Sequence, residues 1–183
     1  AQKFARAVIG TNNVDQGTSL FRTNSVKVLL DMLGAPAATN SISELMNSQV
    51  IVVGGIDLGQ QLPTIGGWVI RAKLAGAKII AIDSRRHRVT ESADLFLQIR
   101  PGTEVFLYGA MAKVIMDRGL MNRNFIKTRC SNYEQFLSHL ESFDILLAAD
   151  RCGVSAEMIE QAAIMYAAAS TAMCPGWPTT APS

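Results

Sequence analysis

The sequence is poor in the residues that hold metals and disulfides: its 183 residues include three cysteines and two histidines. Cys130, Cys152 and Cys174 are widely spaced and odd in number, which excludes a disulfide framework and a C-x-x-C motif and indicates a reducing compartment. His87 and His139 have no second ligating side chain at metal-ligand spacing along the chain. The sequence therefore predicts no metal site formed by this chain alone.

Long apolar runs and a strong charge of one sign are also missing. The net charge is only +2 and 17% of the residues are charged, so nothing in the composition indicates a nucleic-acid partner. No apolar run approaches the roughly 18 residues that a membrane span needs, so no direct membrane insertion is predicted. G-x-G-x-x-G and the P-loop motif G-x-x-x-x-G-K-[ST] are absent too.

What the sequence has is an alternation of short apolar strands with helices. QVIVVGG, from Gln49, and KIIAID, ending at Asp83, predict buried parallel strands, and a helix between them follows Pro63 and ends near Gly76. LFLQIR predicts a third strand. The pattern predicts an α/β fold with an open, mostly parallel, Rossmann-like sheet and helices on both faces.

Two later helices have recognisable starts. RPGTEVFLYGAMAKVIMDRG predicts a turn and a helix capped by Thr103, and SAEMIEQAAIMYAAAS predicts one capped by Ser155. The apolar spacing of the first helix predicts four inward side chains, Val105, Met111, Val114 and Ile115.

In open α/β sheets, ligands bind beyond the carboxyl ends of the strands, which here carry GGIDLGQ, DSRRHR and RPGTE. Gly54 and Gly55 would let a backbone approach a phosphate closely, or would simply form a tight turn. Asp83 could accept ribose hydroxyls; alternatively it caps a turn. Arg85 and Arg86, in the second of these loops, would bind phosphate, or they would form a solvated basic edge together with Arg88. Glu104, in the third loop, would bind a purine, or it would only face the positive end of a helix.

IIAIDSRR and ADLFLQIRPGTEVFL resemble the dinucleotide domain of the molybdopterin oxidoreductases, especially the large (alpha) subunit of formate dehydrogenases. The resemblance extends over nearly the whole chain, through AQKFARAVIGTNNVD, ATNSISEL, GGIDLGQQLP and GVSAEMIEQAAIMYA. The family also includes the large peripheral-arm subunit of respiratory complex I, in which the fold can persist without molybdenum.

The resemblance implies that the strand-end loops hold molybdopterin guanine dinucleotide. Carried over by position, the cofactor-binding residues are Gly55, Asp57, Asp83, Ser84, Arg85, Gly102, Thr103 and Glu104. Asp57 replaces a usual asparagine and Glu104 a usual aspartate, which implies altered binding.

The stretch LFRTNSV bears on catalysis. Redox-active family members carry a cysteine or selenocysteine that bonds the metal, followed by histidine, where this sequence has Phe21 and Arg22. Phenylalanine has no lone pair for a metal and arginine cannot act as a base, so no catalytic residue is assigned and the isolated chain is expected not to be catalytic. The iron–sulfur cysteines of such enzymes are also missing, so no iron–sulfur cluster is expected in this chain.

We interpret 1–183 as a single dinucleotide domain. It would consist of entry helices and a degenerate metal-ligand loop (about 1–48), a nucleotide-binding core (49–131), a helical remainder (132–174) and an irregular tail (175–183). Both ends look cut, because the chain starts inside an apolar helical pattern. The resemblance implies iron–sulfur partner subunits and a cytoplasmic location, or a peripheral one on the cytoplasmic side of a membrane complex.

Three hypotheses follow from the sequence. The chain is a structural or cofactor-binding part of an oxidoreductase complex, formate-dehydrogenase-like or a cofactor-free scaffold of the complex I type. Alternatively, it belongs to an active molybdenum or tungsten enzyme whose metal another chain or an unusual ligand completes. Thirdly, it is a remnant, made by truncation or a frame change near Cys174, that folds incompletely.

Overall fold

The computed structural model describes residues 1–15, 23–35 and 39–170 and the backbone of residues 172 and 173. Contacts divide the chain into two compact units, 1–40 and 41–182. Among the described residues, no helix is both long enough and apolar enough to cross a membrane. The prediction of one domain over 1–183 stays a prediction.

The described residues of the first unit form two helices. α1 (Gln2–Phe4) continues directly into a π-helical turn (Ala5–Ile9), which ends at Gly10 in the left-handed conformation, and α2 spans Thr23–Leu33. Neither helix buries a side chain, and both expose large apolar ones: Phe4, Val8, Ile9, Val28, Leu30, Met32 and Leu33. The apolar helical pattern predicted at the start of the chain is present.

The second unit is built on a parallel sheet in the order β3-β2-β1-β4. After a 3-10 turn (Ile42–Asn47), its elements in chain order are β1 (Val50–Gly54), α3 (Pro63–Leu74), β2 (Lys78–Asp83), α4 (Arg88–Glu91), β3 (Leu95–Gln98), α5 (Glu104–Asp117), α6 (Arg123–Arg129), α7 (Tyr133–Leu140), α8 (Ile145–Cys152), α9 (Ala156–Ala168) and the two-residue β4 (Ala172–Met173). The predicted α/β fold is confirmed.

Alternate strand residues enter two separate cores, one on each face of the sheet. Val52 and Ile80 pack with residues of α5, α8 and α9, whereas Ile51 and Ile79 pack with residues of α3. Because successive strand side chains point to opposite faces, a strand that is apolar at every position must be covered on both sides. The prediction of helices on both faces is therefore confirmed.

Both predicted helix starts are present, but only one of the two predicted capping bonds forms. Ser155 caps α9 through its Oγ, which accepts the amide of Met158 at 3.3 Å, as expected. Thr103 occupies the N-cap of α5, but its hydroxyl donates instead to the carbonyl of Arg100 at 2.6 Å.

The inward side chains of α5 also need one correction. Val105 is 60% exposed, because it precedes the buried Leu107 by two residues and therefore lies on the opposite side of the helix. Met111 and Val114 are buried and Ile115 packs against the core, as predicted.

Candidate functional site

The loops after β1, β2 and β3 leave the same edge of the sheet because the three strands are parallel. This edge carries all eight residues that the sequence predicted to bind cofactor. The loop after β1 is joined to the end of β2 through the backbone, where the Gly55 amide donates to the Ile82 carbonyl at 2.9 Å. The start of the first loop is thus held against the second strand.

Both glycines that end β1 have structural reasons. Gly55 has φ +63°, a left-handed conformation that glycine adopts without steric cost. Gly54 faces the hydroxyl of Tyr108, which lies where a β-carbon at this position would point. The tight turn left open by the sequence is therefore present, and the backbone here is held against α5.

Asp57 organises the rest of the first loop. It is only 8% exposed, and its Oδ1 accepts the amides of Gly59 at 3.0 Å and Gln60 at 3.3 Å. This is a local turn in which a carboxylate replaces a backbone acceptor. Asp57 therefore serves the loop itself, whatever further contact it makes.

Asp83 has a similar turn role at the end of β2. Its Oδ1 accepts the amide of Arg85 at 2.9 Å, and the carbonyl of Ser84 accepts the side-chain amide of Gln98 at 3.2 Å. Arg86 is exposed and its guanidinium lies over the ring of Phe96, 5.7 Å from the centroid. The predicted turn at Asp83 is thus present. The other carboxylate oxygen of Asp83, Oδ2, points away from this turn.

Oδ2 of Asp83 points to His87, a residue that sequence reasoning missed. The His87 Nε2 lies 3.4 Å from Asp83 Oδ2, and its Nδ1 lies 3.9 Å from Asp57 Oδ1. The imidazole is 9% exposed, and neither ring nitrogen has a hydrogen-bond partner in the described part of the chain. The contact with Asp83 could have been suspected from the sequence, because Asp83 and His87 are four residues apart after a strand. The contact with Asp57 had no sequence signal, because Asp57 belongs to another loop.

A pocket of about 420 Å³ opens beside this histidine, between the loops after β1 and β2. It is lined by Asp57, Gly59, Gln60, Arg85, Arg86, His87 and Arg88. Three guanidinium groups against one carboxylate make it electropositive, and arginine binds phosphate oxygens through a planar pair of donors. The pocket is therefore suited to an anionic ligand with a polar, hydroxyl-bearing part.

The third loop is fixed to α8. Nη1 of Arg100 donates to the carbonyls of Asp150 at 2.6 Å and Arg151 at 3.3 Å, and the Arg100 amide donates to Cys152 O at 2.9 Å. The buried Cys152 thiol donates to the carbonyl of Thr103 at 3.4 Å. Arg100 and Cys152, neither of which the sequence singled out for the site, hold the loop that contains Gly102, Thr103 and Glu104.

A second pocket, of about 500 Å³, lies between the loops after β2 and β3. It is lined by Ser84, Gln98, Ile99, Arg100, Pro101, Cys152 and Gly153. Of the predicted cofactor residues, Asp57 and Arg85 line the first pocket and Ser84 the second. Gly55, Asp83, Gly102, Thr103 and Glu104 line neither of the two.

The metal prediction concerns Phe21 and Arg22. Phe21 and Arg22 lie outside the described residues. Among those that are described, no group of three or more histidine, cysteine, aspartate or glutamate side chains could hold a metal ion. The donor set at the sheet edge, rich in guanidinium and backbone groups, fits an anionic nucleotide better than a cation.

Residues 1–177 match the family model described as molybdopterin oxidoreductase. The chain belongs to the molybdopterin oxidoreductase family. It is 40% identical over 171 residues to F420-dependent formate dehydrogenase 1 subunit alpha of Methanococcus maripaludis and 37% identical over the same length to formate dehydrogenase H of Escherichia coli. It is also 33% identical to the assimilatory nitrate reductase catalytic subunit of Bacillus subtilis. The predicted resemblance is confirmed.

Each of these alignments covers 93% of the chain but only about a quarter of the relative: 25% of the Methanococcus protein and 24% of each of the others. Among solved structures, acetylene hydratase from Pelobacter acetylenicus matches with a TM-score of 0.68 at 24% identity, over 75% of the chain and 20% of that protein. At this identity the likeness shows the fold alone. The family itself implies a molybdopterin cofactor that carries molybdenum or tungsten.

Proposed function

We propose that this chain is the part of a formate-dehydrogenase-like oxidoreductase subunit that binds the guanosine diphosphate end of a molybdopterin guanine dinucleotide, and that it does so without ligating the metal. The first pocket carries this proposal, because it places Arg85, Arg86 and Arg88 around a polar floor at the carboxyl edge of a parallel sheet. The diphosphate would meet the guanidinium groups. The ribose would approach Asp83 and Ser84.

The third loop is the proposed place for the base. Glu104 begins α5 beside Gly102 and Thr103, and a carboxylate is the acceptor that the donor edge of guanine requires. Gly102 has φ +79°, so the backbone here turns sharply and exposes its peptide groups. Anchoring by Arg100 would keep this loop in place when the ligand is absent, which reduces the entropy lost on binding.

The non-catalytic part of the proposal rests on residue chemistry. Phe21, where active relatives carry the metal-bonding residue, offers no lone pair, and Arg22 is always protonated. When bound, the cofactor supplies the redox chemistry of molybdenum or tungsten. This chain would contribute binding and orientation, with iron–sulfur subunits as partners in a cytoplasmic, or cytoplasmically exposed, complex.

Binding of guanosine diphosphate to the full chain tests the nucleotide part. Isothermal titration calorimetry should give a dissociation constant that weakens about tenfold in Arg85→Ala, the loss of one charged, bidentate phosphate contact. Arg129→Ala is the matched control, since Arg129 is an exposed arginine at the end of α6. Equal effects of the two substitutions would reject a specific site and leave only general electrostatic attraction.

Metal analysis tests the second part. The chain is purified from its native host together with any copurifying proteins. It should contain bound pterin, which is released by oxidation and detected by fluorescence. Mass spectrometry should find molybdenum and tungsten at well below one atom per chain. Stoichiometric metal together with pterin would overturn the non-ligating role. Absence of pterin with a partner subunit present would favour the cofactor-free scaffold.

A further inference from the structure

His87 is the one described side chain at the sheet edge that is almost fully buried and yet makes no hydrogen bond through its ring. Buried polar atoms normally have partners, and an unpaired one is destabilising, so its presence calls for an explanation. The ring lies between two carboxylates that belong to different loops, Asp57 after β1 and Asp83 after β2. An imidazole in that position can connect the two loops.

Three hydrogen bonds hold the backbone of His87 in place. The hydroxyl of Thr90 accepts the His87 amide and donates to the His87 carbonyl, each at 2.8 Å, and the amide of Glu91 donates to that same carbonyl at 2.9 Å. Thr90 is itself buried. The start of α4 therefore fixes the backbone from which the imidazole extends, and the ring also faces the backbone amide of Thr90 at the third position of that helix.

We propose that His87 is a positioning residue of the nucleotide site: in its protonated form it bridges Asp57 and Asp83, closes the loops after β1 and β2 against each other, and orients Asp83 toward a ribose. This inference rests on the proposed function. A protonated imidazole has two N–H donors, one for each carboxylate, so the bridge needs the proton and weakens when the ring loses it. Binding of a ribose-bearing ligand therefore weakens as the pH rises.

The charges around His87 make the bridge sensitive to its proton. Two carboxylates face the ring, whereas Arg85, Arg86 and Arg88 line the same pocket and oppose a further positive charge. The shorter distance is to Asp83, at 3.4 Å against 3.9 Å to Asp57. Loss of the proton leaves a neutral ring with one N–H donor, which can no longer hold both carboxylates, so the restraint on Asp83 is weakened.

The first test needs no ligand. Nitrogen-15 NMR of the full chain reports both histidine rings in one spectrum, and His139, which packs edge-on against Phe143, serves as the internal control. Asp83→Asn and Asp57→Asn should each shift the ring-nitrogen signals of His87 at pH 6 and leave those of His139 unchanged. Unchanged His87 signals in both variants would overturn the bridge.

The second test separates positioning from direct phosphate contact. Guanosine, which has no phosphate, should bind the wild-type chain about fivefold more tightly at pH 6 than at pH 8, and His87→Gln should remove this dependence while His139→Gln preserves it. A pH dependence of guanosine diphosphate binding that His87→Gln removes, without any for guanosine, would show that His87 acts on phosphate, and would overturn the positioning role.

The two proposals fail in different ways. If neither guanosine nor the diphosphate binds while the His87 signals respond to both aspartate substitutions, the nucleotide function fails and the bridge stands as a link between the loops. If nucleotide binds and His87→Gln has the same pH profile as the wild type, the function stands and the positioning role fails.

Discussion

The attachment of the third loop to α8 gives a quantitative prediction. In Arg100→Ala the guanidinium no longer donates to the last carbonyls of α8, and a cation is lost from the negative end of that helix. A hydrogen bond from a charged group contributes about 1.5–3 kcal/mol when shielded from water, and a cation at a helix C-terminus about 0.3–1 kcal/mol. Because Arg100 is exposed, we take the lower part of these ranges and expect a loss of about 1–1.5 kcal/mol.

For a chain of this size that loss corresponds to a fall in Tm of about 2–6 °C. Urea unfolding, followed by circular dichroism, should show a lower midpoint with an unchanged slope. Arg100→Lys keeps the charge but lacks the planar fork, so it should recover about half of the loss. Hydrogen exchange adds a local measurement: amides from Gly102 to Phe106 should lose protection first.

The matched control is Arg129→Ala, which removes an exposed arginine at the end of α6 rather than α8. It should change the free energy of unfolding by less than about 0.5 kcal/mol. If Arg100→Ala is as neutral as this control and exchange near Thr103 is unchanged, the contacts between Arg100 and the α8 carbonyls do not hold the loop, and our account of its anchoring is wrong.

Two further predictions concern Asp94 and Cys152. Burial acts to raise the pKa of Asp94, but the amide of Ile79 and the ammonium groups of Lys73 and Lys78 outweigh it and hold that pKa below its ordinary value. The contribution of the ionised Asp94 to stability is therefore complete near neutral pH and is lost as the pH falls below about 4. We expect Asp94→Ala to lower the free energy of unfolding in urea by about 2 kcal/mol at pH 7, and Asp94→Asn, which keeps an acceptor for Ile79, to lower it by about half of that. The cost of Asp94→Asn should shrink at pH 3. A constant cost at both pH values would contradict the charge argument. Burial raises the pKa of the Cys152 thiol, whereas Cys130 is exposed. Peptide mapping after iodoacetamide treatment should therefore find Cys130 alkylated at least about tenfold faster; equal rates would mean that Cys152, the last residue of α8, does not remain buried in the core.

The central β-α-β unit could be predicted closely because every step of it has a local signal. β1 and β2 are apolar at successive positions, and the helix between them starts at Pro63 and is followed by Gly76, which has φ +107°. Such signals act within a few residues and need no knowledge of the fold.

The contacts that hold the site together have no local signal. His87 meets Asp57 only because β1 and β2 are neighbours in the sheet, and Arg100 meets Cys152 only because α8 packs on the same face as α5. Both depend on residues far apart in sequence, so spacing along the chain could not reveal them. Thr103 shows a different limit, since its hydroxyl had two local options and bonded to the carbonyl of Arg100, three residues earlier, instead of forming the predicted capping bond.

The existing hydrogen bonds determine which polar groups at the sheet edge can still bind a ligand. Oδ1 of Asp57 and Oδ1 of Asp83 already accept amides of their own loops, and Oδ2 of Asp83 faces His87. A carboxylate oxygen can accept more than one hydrogen bond, so a ribose hydroxyl can still be bound, but only in the direction that the existing contacts leave open. The guanidinium of Arg85 is exposed at the pocket and has no such constraint. Affinity at this edge should therefore come mainly from the arginines, whereas the two aspartates, held by their loops and by His87, determine the orientation in which a nucleotide is accepted.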